Sequence, residues 1–469
     1  MNRISAFVLG AALWPLMALA IVPQTHVYRN DGRHFHKIEG DVAVGHRYAG
    51  QVEMVTFADG GQEVWLPVSS VDAFEIATVD IPRLYIDTPA SPDLPQIVEK
   101  ETYLDATVRI DGNGYIDDAA PAEVKIKGRG NSTWGMPKKP IRLKFNKKTQ
   151  FAGLKKAKSF VLLANYIDPT LMRNALAMKM ARLLGVEYAN NIVPCNITFN
   201  GHDLGSFMLT EKIGINAGSV DIDETCGMLF EMSDEFDEKY KFRSPAYNLP
   251  VMVKDPDLDE IAAENPALGT PDDILAAWRD DFVAAEQLVA QGRGFEAFDL
   301  DSFVDYLLVY NMCNNSEIGH PKSVYLHKEQ LGQTTRYKFG PVWDFDMAFN
   351  VCQLEGGHRV DTPADQGLWV NRLFARLVAT PGFIERYRER LAQFSGEMFP
   401  LLIDFFDEYA ALVRPSAKVN GMIWPGGDDY GWVYVVNSFD HEAETAALRQ
   451  WLHDRLAHLE ELADRGLIN

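Results

Sequence analysis

The order of patterns along the chain predicts an α+β fold, with a β-rich portion at about 80–265, a helical portion at about 266–469 and a small β-hairpin module at 21–79. Three observations carry this expectation. Apolar and polar residues alternate with the period of a strand through much of 82–255, the period lengthens to that of an amphipathic helix from Thr270 onward, and two phrases before residue 80 alternate around Asp-Gly and Gly-Gly turns. A chain of 469 residues exceeds one ordinary domain, which agrees with one large unit of 80–469 and an appended module. Its 47% hydrophobic and 24% charged residues describe a globular protein. A net charge of -21 excludes a general nucleic-acid binder, which needs a basic footprint to displace phosphate counterions. Lys and Arg are nevertheless dense between Lys125 and Lys148.

Residues 1–20 carry one Arg near the start, an apolar run and then Ala18-Leu19-Ala20, the pattern of a signal peptide. An uncleaved membrane anchor is the alternative, although the run is near the lower length for spanning. The expectation is an exported protein of the periplasm, cell surface or extracellular space, with no membrane span after signal removal. Cys195, Cys226, Cys313 and Cys352 are widely spaced, without zinc-site spacing, and their pairing is not readable. His26, His34, His36 and His46 fall in the hairpin module, where no carboxylate or Cys is spaced to complete a metal site.

The strands expected from Pro82 onward are PRLYIDT, TYLDATVRI, AEVKIKG and IRLKF. Between the last two lies RGNSTWGMPKKP, where Gly128 and Gly130 flank Arg129 and are followed by Asn131, Ser132 and Thr133. Glycines let backbone amides approach an anion, and hydroxyl, amide and basic side chains add donors, so the loop suits phosphate. Within IRLKF, alternation points Lys144 away from the apolar face. A helix is expected with Asp168 as N-cap, Pro169 in its first position and Gly185 as its stop, bringing Arg173 and Asn174 early in the helix. Strands resume at 192–214 around an Asn200-Gly201 turn, with Glu211 ending the second. Two more short strands bring Glu231, Lys254 and Asp255. Helices follow from Pro271, with Thr270 as cap, and again through FDLDSFVDYLLVYNMCN, and most of 366–469 reads as helix with core aromatics.

The stretch 337–350, YKFGPVWDFDMAFN, ends an apolar run in Asp344 and Asp346. Carboxylates placed so need donors or a cation, and Mg²⁺ shared with phosphate oxygens meets that need. Ordinary turn chemistry is the alternative for an isolated pair. Helix, polar loop with an acidic residue, hairpin and then aspartate is also the order in which protein kinases present a catalytic loop and a metal-binding aspartate.

KGRGNSTW, KKPIRLKF, LLANYIDPTLMRN, the hairpin ending LTEKI, and FGPVWDFDMAF together resemble, in order, the spore-coat-protein-H (CotH) kinase family, particularly exported members of Gram-negative type. The resemblance implies an atypical protein-kinase-like, two-lobed fold with a β-rich N-lobe and a helical C-lobe. It also implies transfer of the ATP γ-phosphate, with Mg²⁺, to Ser or Thr of an acceptor protein. By motif, Arg129, Asn131, Ser132 and Lys144 would hold ATP phosphates with Arg173 and Asn174 in support, and Glu211 would lie near the interlobe hinge. Asp344 would bind Mg²⁺, with Asp346 as a second candidate. The chain departs from the family at Asn315-Ser316-Glu317, where Asn-x-Asp is usual, and at Ser323, where an Asn metal ligand is usual. Glu317 is then the candidate base and Ser323 a candidate metal ligand. The longer Glu side chain leaves a second reading open, a weak or inactive kinase-like protein acting as a surface or extracellular binding protein.

Overall fold

A computed structural model describes residues 24–29, 35–39, 45–49, 52–59, 62–67, 71–77, 80–319, 321–349, 372–426 and 440–467. The signal-like segment 1–20, His34 and Cys352 lie outside the described residues. The fold is mixed α+β. Strands β1 (Gln24–Arg29), β2 (Phe35–Glu39) and β6 (Val71–Ala77) form one antiparallel sheet, and β3 (Gly45–Ala49), β4 (Val52–Asp59) and β5 (Gln62–Pro67) form another. The hairpins expected on either side of Asp-Gly and Gly-Gly are β1–β2 and β4–β5.

Seven strands then close into a barrel. They are β7 (Arg83–Asp87), β8 (Leu104–Asp111), β9 (Ala119–Gly128), β10 (Ile141–Phe151), β11 (Leu154–Leu163), β12 (Ile192–Phe199) and β13 (His202–Glu211), in the order β10-β11-β13-β12-β7-β8-β9. Alternation drives the closure: Ile141, Leu143 and Phe145 point into a core with Leu84, Val108, Ile126, Phe160 and Phe207, while Arg142 and Lys144 point out. Closing the sheet leaves no unpaired edge. Asn200 and Gly201 both take positive φ, as the tight β12–β13 turn requires.

Helix α1 (Arg173–Leu184) begins later than expected. Asp168 does not serve as the N-cap with Pro169 inside the first turn. Its carboxylate accepts from the backbone amides of Met172 and Arg173, both at 2.9 Å, so the segment before the helix is wound around it. Gly185 ends the helix at φ 79° as anticipated.

A five-stranded sheet follows, ordered β15 (Lys241–Arg243), β16 (Pro250–Asp255), β14 (Met228–Met232), β17 (Val324–Lys328), β18 (Lys338–Phe339). Its strands come from both sides of residue 265, so the expected boundary between β-rich and helical portions falls between strands bonded in one sheet. Helices α2 (Leu258–Glu264), α3 (Pro271–Ala290) and α4 (Leu300–Cys313) intervene in sequence. Thr270 caps α3, and does so through a capping box with Asp273, while Asp299 caps α4. Four later helices, α5 (Arg372–Val378), α6 (Phe383–Gln393), α7 (Phe399–Ile423) and α8 (His441–Asp464), pack with α1, α4 and the sheet around a second core, separate from the barrel's. No helix among the described residues is long and apolar enough to cross a membrane. Cys195 and Cys313 are buried free thiols and Cys226 is an exposed one.

Candidate functional site

A cleft of about 200 Å³ is walled by the loop after β9, the segment after β11, the ends of β14, β16 and β17, and the Trp343–Asp346 turn. The loop contributes Arg129, Asn131, Ser132 and Thr133. It can fold so tightly only around Gly130, at φ +84°, where an added Cβ would stand 2.2 Å from the Thr133 hydroxyl oxygen. Arg129 lies over the Trp343 ring at 5.6 Å, linking this loop to the opposite wall.

The sheet supplies a half-buried ion pair. Glu231 interrupts the apolar strand MLFEM, and Lys254 ends the buried run of β16 beside it; their charged atoms are 2.7 Å apart, with Glu238 2.9 Å from the same ammonium. Burial by itself lowers the pKa of the Lys254 ammonium, but Tyr325, Glu231 and Glu238 around it raise it overall. Lys254 therefore stays charged in the cleft.

The acidic wall is assembled from two chain segments pinned together. Asn314 ends α4 in the left-handed conformation at φ 47°, and the next residue, Asn315, accepts from the Glu317 amide at 3.0 Å and donates from Nδ2 to the Asp344 carbonyl at 2.9 Å. On the other side the Asn174 side chain accepts from the Phe345 amide at 2.9 Å, and the Phe349 amide donates to the Cys313 carbonyl at 2.6 Å. The turn so held places Asp344 at φ +69° and, opposite it, Ser323 at φ +53°, with the Ser323 hydroxyl 3.5 Å from an Asp344 carboxylate oxygen. Both conformations cost on the order of 1 kcal/mol for a non-glycine residue, a cost that clusters at sites with a task.

Acidic charge is concentrated here. Burial, followed by repulsion from Asp344, holds the Asp346 carboxyl well above the usual range. Burial, then the charges of Asp344 and Asp346, does the same to Glu317, and only Lys322 acts against them to a notable degree. One carboxylate oxygen of Glu317 is buried with no hydrogen-bond partner. A buried acid without a donor is what a cation site looks like before its cation is counted.

Of the residues anticipated from sequence, Arg129, Asn131, Ser132, Asn174, Ser323, Asp344 and Asp346 line this one cleft. Four are placed elsewhere. Lys144 is exposed on the barrel, 5.6 Å from the Tyr103 ring, because the alternation that frees it from the core turns it outward rather than toward the cleft. Arg173 is fully buried and ion-paired to Asp168, so it holds the entry to α1. Glu211 is buried at the end of β13, accepting from the Asn191 amide at 2.9 Å and its side chain at 2.8 Å, and burial raises its pKa. Glu317 is not among the residues lining the cleft, although it lies near enough to Asp344 and Asp346 to feel their charges. Sequence reasoning missed Glu231 and Lys254 as site residues. A single acid inside an otherwise apolar strand was the available signal, since a buried charge demands a partner.

Among the described residues no three His, Cys, Asp or Glu form a ready cage for a metal. Mg²⁺ does not need one, because it commonly takes one or two carboxylates and completes its octahedron with phosphate oxygens and water. Asp344, Asp346 and Ser323 facing a glycine-bearing, donor-rich loop meet that description.

The family model described as CotH kinase protein matches residues 126–459. No curated protein matches the chain.

Proposed function

This chain belongs to the CotH kinase family, and from that premise and the two walls of the cleft we propose that it is an exported kinase-like phosphotransferase, moving the γ-phosphoryl of ATP to a protein Ser or Thr hydroxyl with Mg²⁺. The carrying observation is that Asp344, Asp346 and Ser323 share one cleft with Arg129, Asn131, Ser132 and the Lys254–Glu231 pair. In this reading the barrel and the helical portion act as the two lobes of a kinase-like arrangement, with the cleft where they meet.

The loop amides, Ser132 and Arg129 would hold phosphate oxygens, and Lys254, kept charged and oriented by Glu231, would neutralise them in a half-buried setting where charge is weakly screened. Asp344 and Asp346, with Ser323, would hold Mg²⁺, which when bound spreads the negative charge that develops on the phosphates. Asn315 and Asn174 keep the acidic turn in place, so positioning is built before any ligand arrives. Glu317 would orient the acceptor hydroxyl and take its proton as the acceptor oxygen bonds to the γ-phosphorus and the bond to the departing ADP breaks.

A second reading rests on Glu317, which is not among the residues lining the cleft and whose carboxyl is pushed well above the usual range by burial first and by its acidic neighbours second. It makes the protein a binder that retains the nucleotide-like cleft without transfer. Incubation of purified protein with labelled ATP separates the two: Mg²⁺-dependent autophosphorylation that vanishes in Asp344→Asn supports the kinase reading, and nucleotide binding without transfer under any divalent metal removes it.

A further inference from the structure

Between Val124 and Ile167 the chain carries twelve Lys and Arg and no Asp or Glu, in a protein of net charge -21. Five of these lysines fall on one arm. Strands β10 and β11 form a hairpin that runs past its neighbours: β9 pairs with β10 as far as Lys144, β13 pairs with β11 from Phe160, and among the described residues no other strand pairs with 145–159. At its tip Ala152 and Gly153 both take positive φ, 49° and 77°, the twist that a two-residue hairpin turn needs. One face of the arm is committed to packing. Phe145, Phe151 and Phe160 meet with ring centroids 5.2, 5.6 and 6.0 Å apart, and Leu154 and Ala157 are buried with them. The other face is basic. Lys147, Lys148, Lys155, Lys156 and Lys158 are all exposed, and no carboxylate of the described residues lies within ion-pair distance of any of them. Lys125, at the root of the arm, does have one, Asp105 at 2.7 Å. A bulge adds to the display: Lys144 pairs with Ser159 and Thr149 with Ala157, so five steps along β10 face two along β11, and the surplus leaves Lys147 and Lys148 both outside. Lysine is depleted in strands and clustered like charges repel, so the arm carries this set at a cost that an anionic partner offsets.

We infer that this arm docks the protein on an anionic lipid surface, with the five lysines against the headgroup phosphates. None of the five lines the cleft, and the inference does not rest on phosphate transfer. Two features choose a surface over a single bound anion. The lysines spread along two adjacent strands over roughly 15–20 Å, and all five are hydrated point charges that answer a diffuse field, where a site for one phosphate favours the arginine fork. A third feature chooses a flat surface over a flexible polyanion. The rest of the chain is strongly acidic and repels a polymer that wraps beyond the arm, whereas a plane touching only the arm leaves most of that acid more than a Debye length of about 10 Å away. No large apolar residue of 145–159 is exposed, so the contact is electrostatic, without insertion. Lys144 is also close along β10 to Ile141, the register partner of Gly128, which precedes the loop of the cleft. An arm held on a surface therefore keeps the cleft near it.

The test uses the chain from Ile21 onward, as left by removal of the signal-like segment, and vesicles of neutral phosphatidylcholine alone or mixed with anionic phosphatidylglycerol. Co-sedimentation at low and high salt is expected to show binding to the anionic vesicles only, lost at high salt. Lys147→Gln/Lys148→Gln is expected to lower that binding roughly tenfold, and replacement of all five lysines by Gln at least 100-fold or so, since each lysine near such a surface adds several-fold. Both variants should keep the native unfolding temperature, because the side chains changed are exposed. Replacement of all five by Arg keeps the charge and is expected to keep the binding. Arg279→Gln/Arg336→Gln, which removes two exposed charges elsewhere, is expected to leave it unchanged. Equal binding to neutral and anionic vesicles, binding retained after replacement of all five by Gln, an equal loss in Arg279→Gln/Arg336→Gln, or tighter binding of soluble polyglutamate than of the vesicles through the same lysines would each overturn the proposal. Aggregation of the Gln variants with vesicle binding intact would overturn it as well, and would reduce the lysines to protection of the arm's open edges.

Discussion

Asp168 and Asp346 are nearly equally hidden, with 1% and 9% of their surface exposed, yet they are held in opposite ways. Asp168 accepts from the amides of Thr170, Met172 and Arg173 and from the Thr170 hydroxyl, and it is ion-paired to Arg173. Every lone pair has an answer, and the result is a rigid entry to α1. Asp346 sits beside Asp344, with the unpartnered Glu317 oxygen close by, and its carboxyl is pushed up by burial and by that neighbour. Buried acid answered by donors and a cation marks architecture, and buried acid set against like charge marks a place that suits a cation. The same contrast separates Arg173, spent on Asp168, from Arg129, which faces the cleft.

The contrast can be broken by substitution. Asp344→Asn keeps a residue that tolerates φ +69° and removes the charge. Phosphate transfer is expected to fall by about 10³-fold or more while thermal unfolding is unchanged or slightly later, because repulsion is relieved. Arg173→Met should do the reverse. It leaves the Asp168 charge buried and unpaired, so denaturant unfolding should show a loss of about 3–5 kcal/mol, with ATP affinity retained in the protein that remains folded. Unchanged stability together with lost ATP binding would return Arg173 to the ligand role that the family resemblance implies.

Smaller effects sharpen the picture. Ser323→Asn places a residue more at ease in the left-handed region and a better oxygen ligand opposite Asp344. Stability is expected to rise by about 0.5–1 kcal/mol, and half-saturation by Mg²⁺, followed by ATP binding at varied metal, to move lower. Lys138, fully buried against Asn420 at 2.7 Å, has its pKa lowered by burial to about 7. The unfolded chain therefore binds more protons above pH 7, and stability should rise with pH from 7 toward 9 by about 1 kcal/mol per pH unit. Above pH 9 the buried Cys195 thiol, pushed up to about 12 by burial, works against it. Urea unfolding at pH 7 and 8 should show the slope in the native protein and a weaker one in Lys138→Met.

What was legible in the sequence was local. Alternation in IRLKF, the Asn200-Gly201 turn, the Thr270 cap and the order of α4, acidic turn, hairpin and WDFD all depend on neighbours a few residues away, and each stands as expected. Barrel closure was not legible, because it needs β7 to lie parallel to β12 more than a hundred residues later, a pairing that no short-range pattern encodes. For the same reason Lys144 was favoured over Lys254. Both are lysines on strands, and only the long-range pairing of β16 with β14 shows which one meets a buried glutamate. Glu317 kept its place in the order of elements, but what brings its loop against Asp344 is the Asn315 bridge, which spans 29 residues.

The central claim, that the clustered acids of the Trp343–Asp346 turn form a metal-dependent nucleotide site with the 129–133 loop, is tested most directly by titration calorimetry of ATP into the native protein and into Asp344→Asn, each with Mg²⁺ and with a chelator. Binding that requires both Mg²⁺ and Asp344 is the expected result. ATP binding of equal strength in all four combinations, or no binding in any of them, would contradict it.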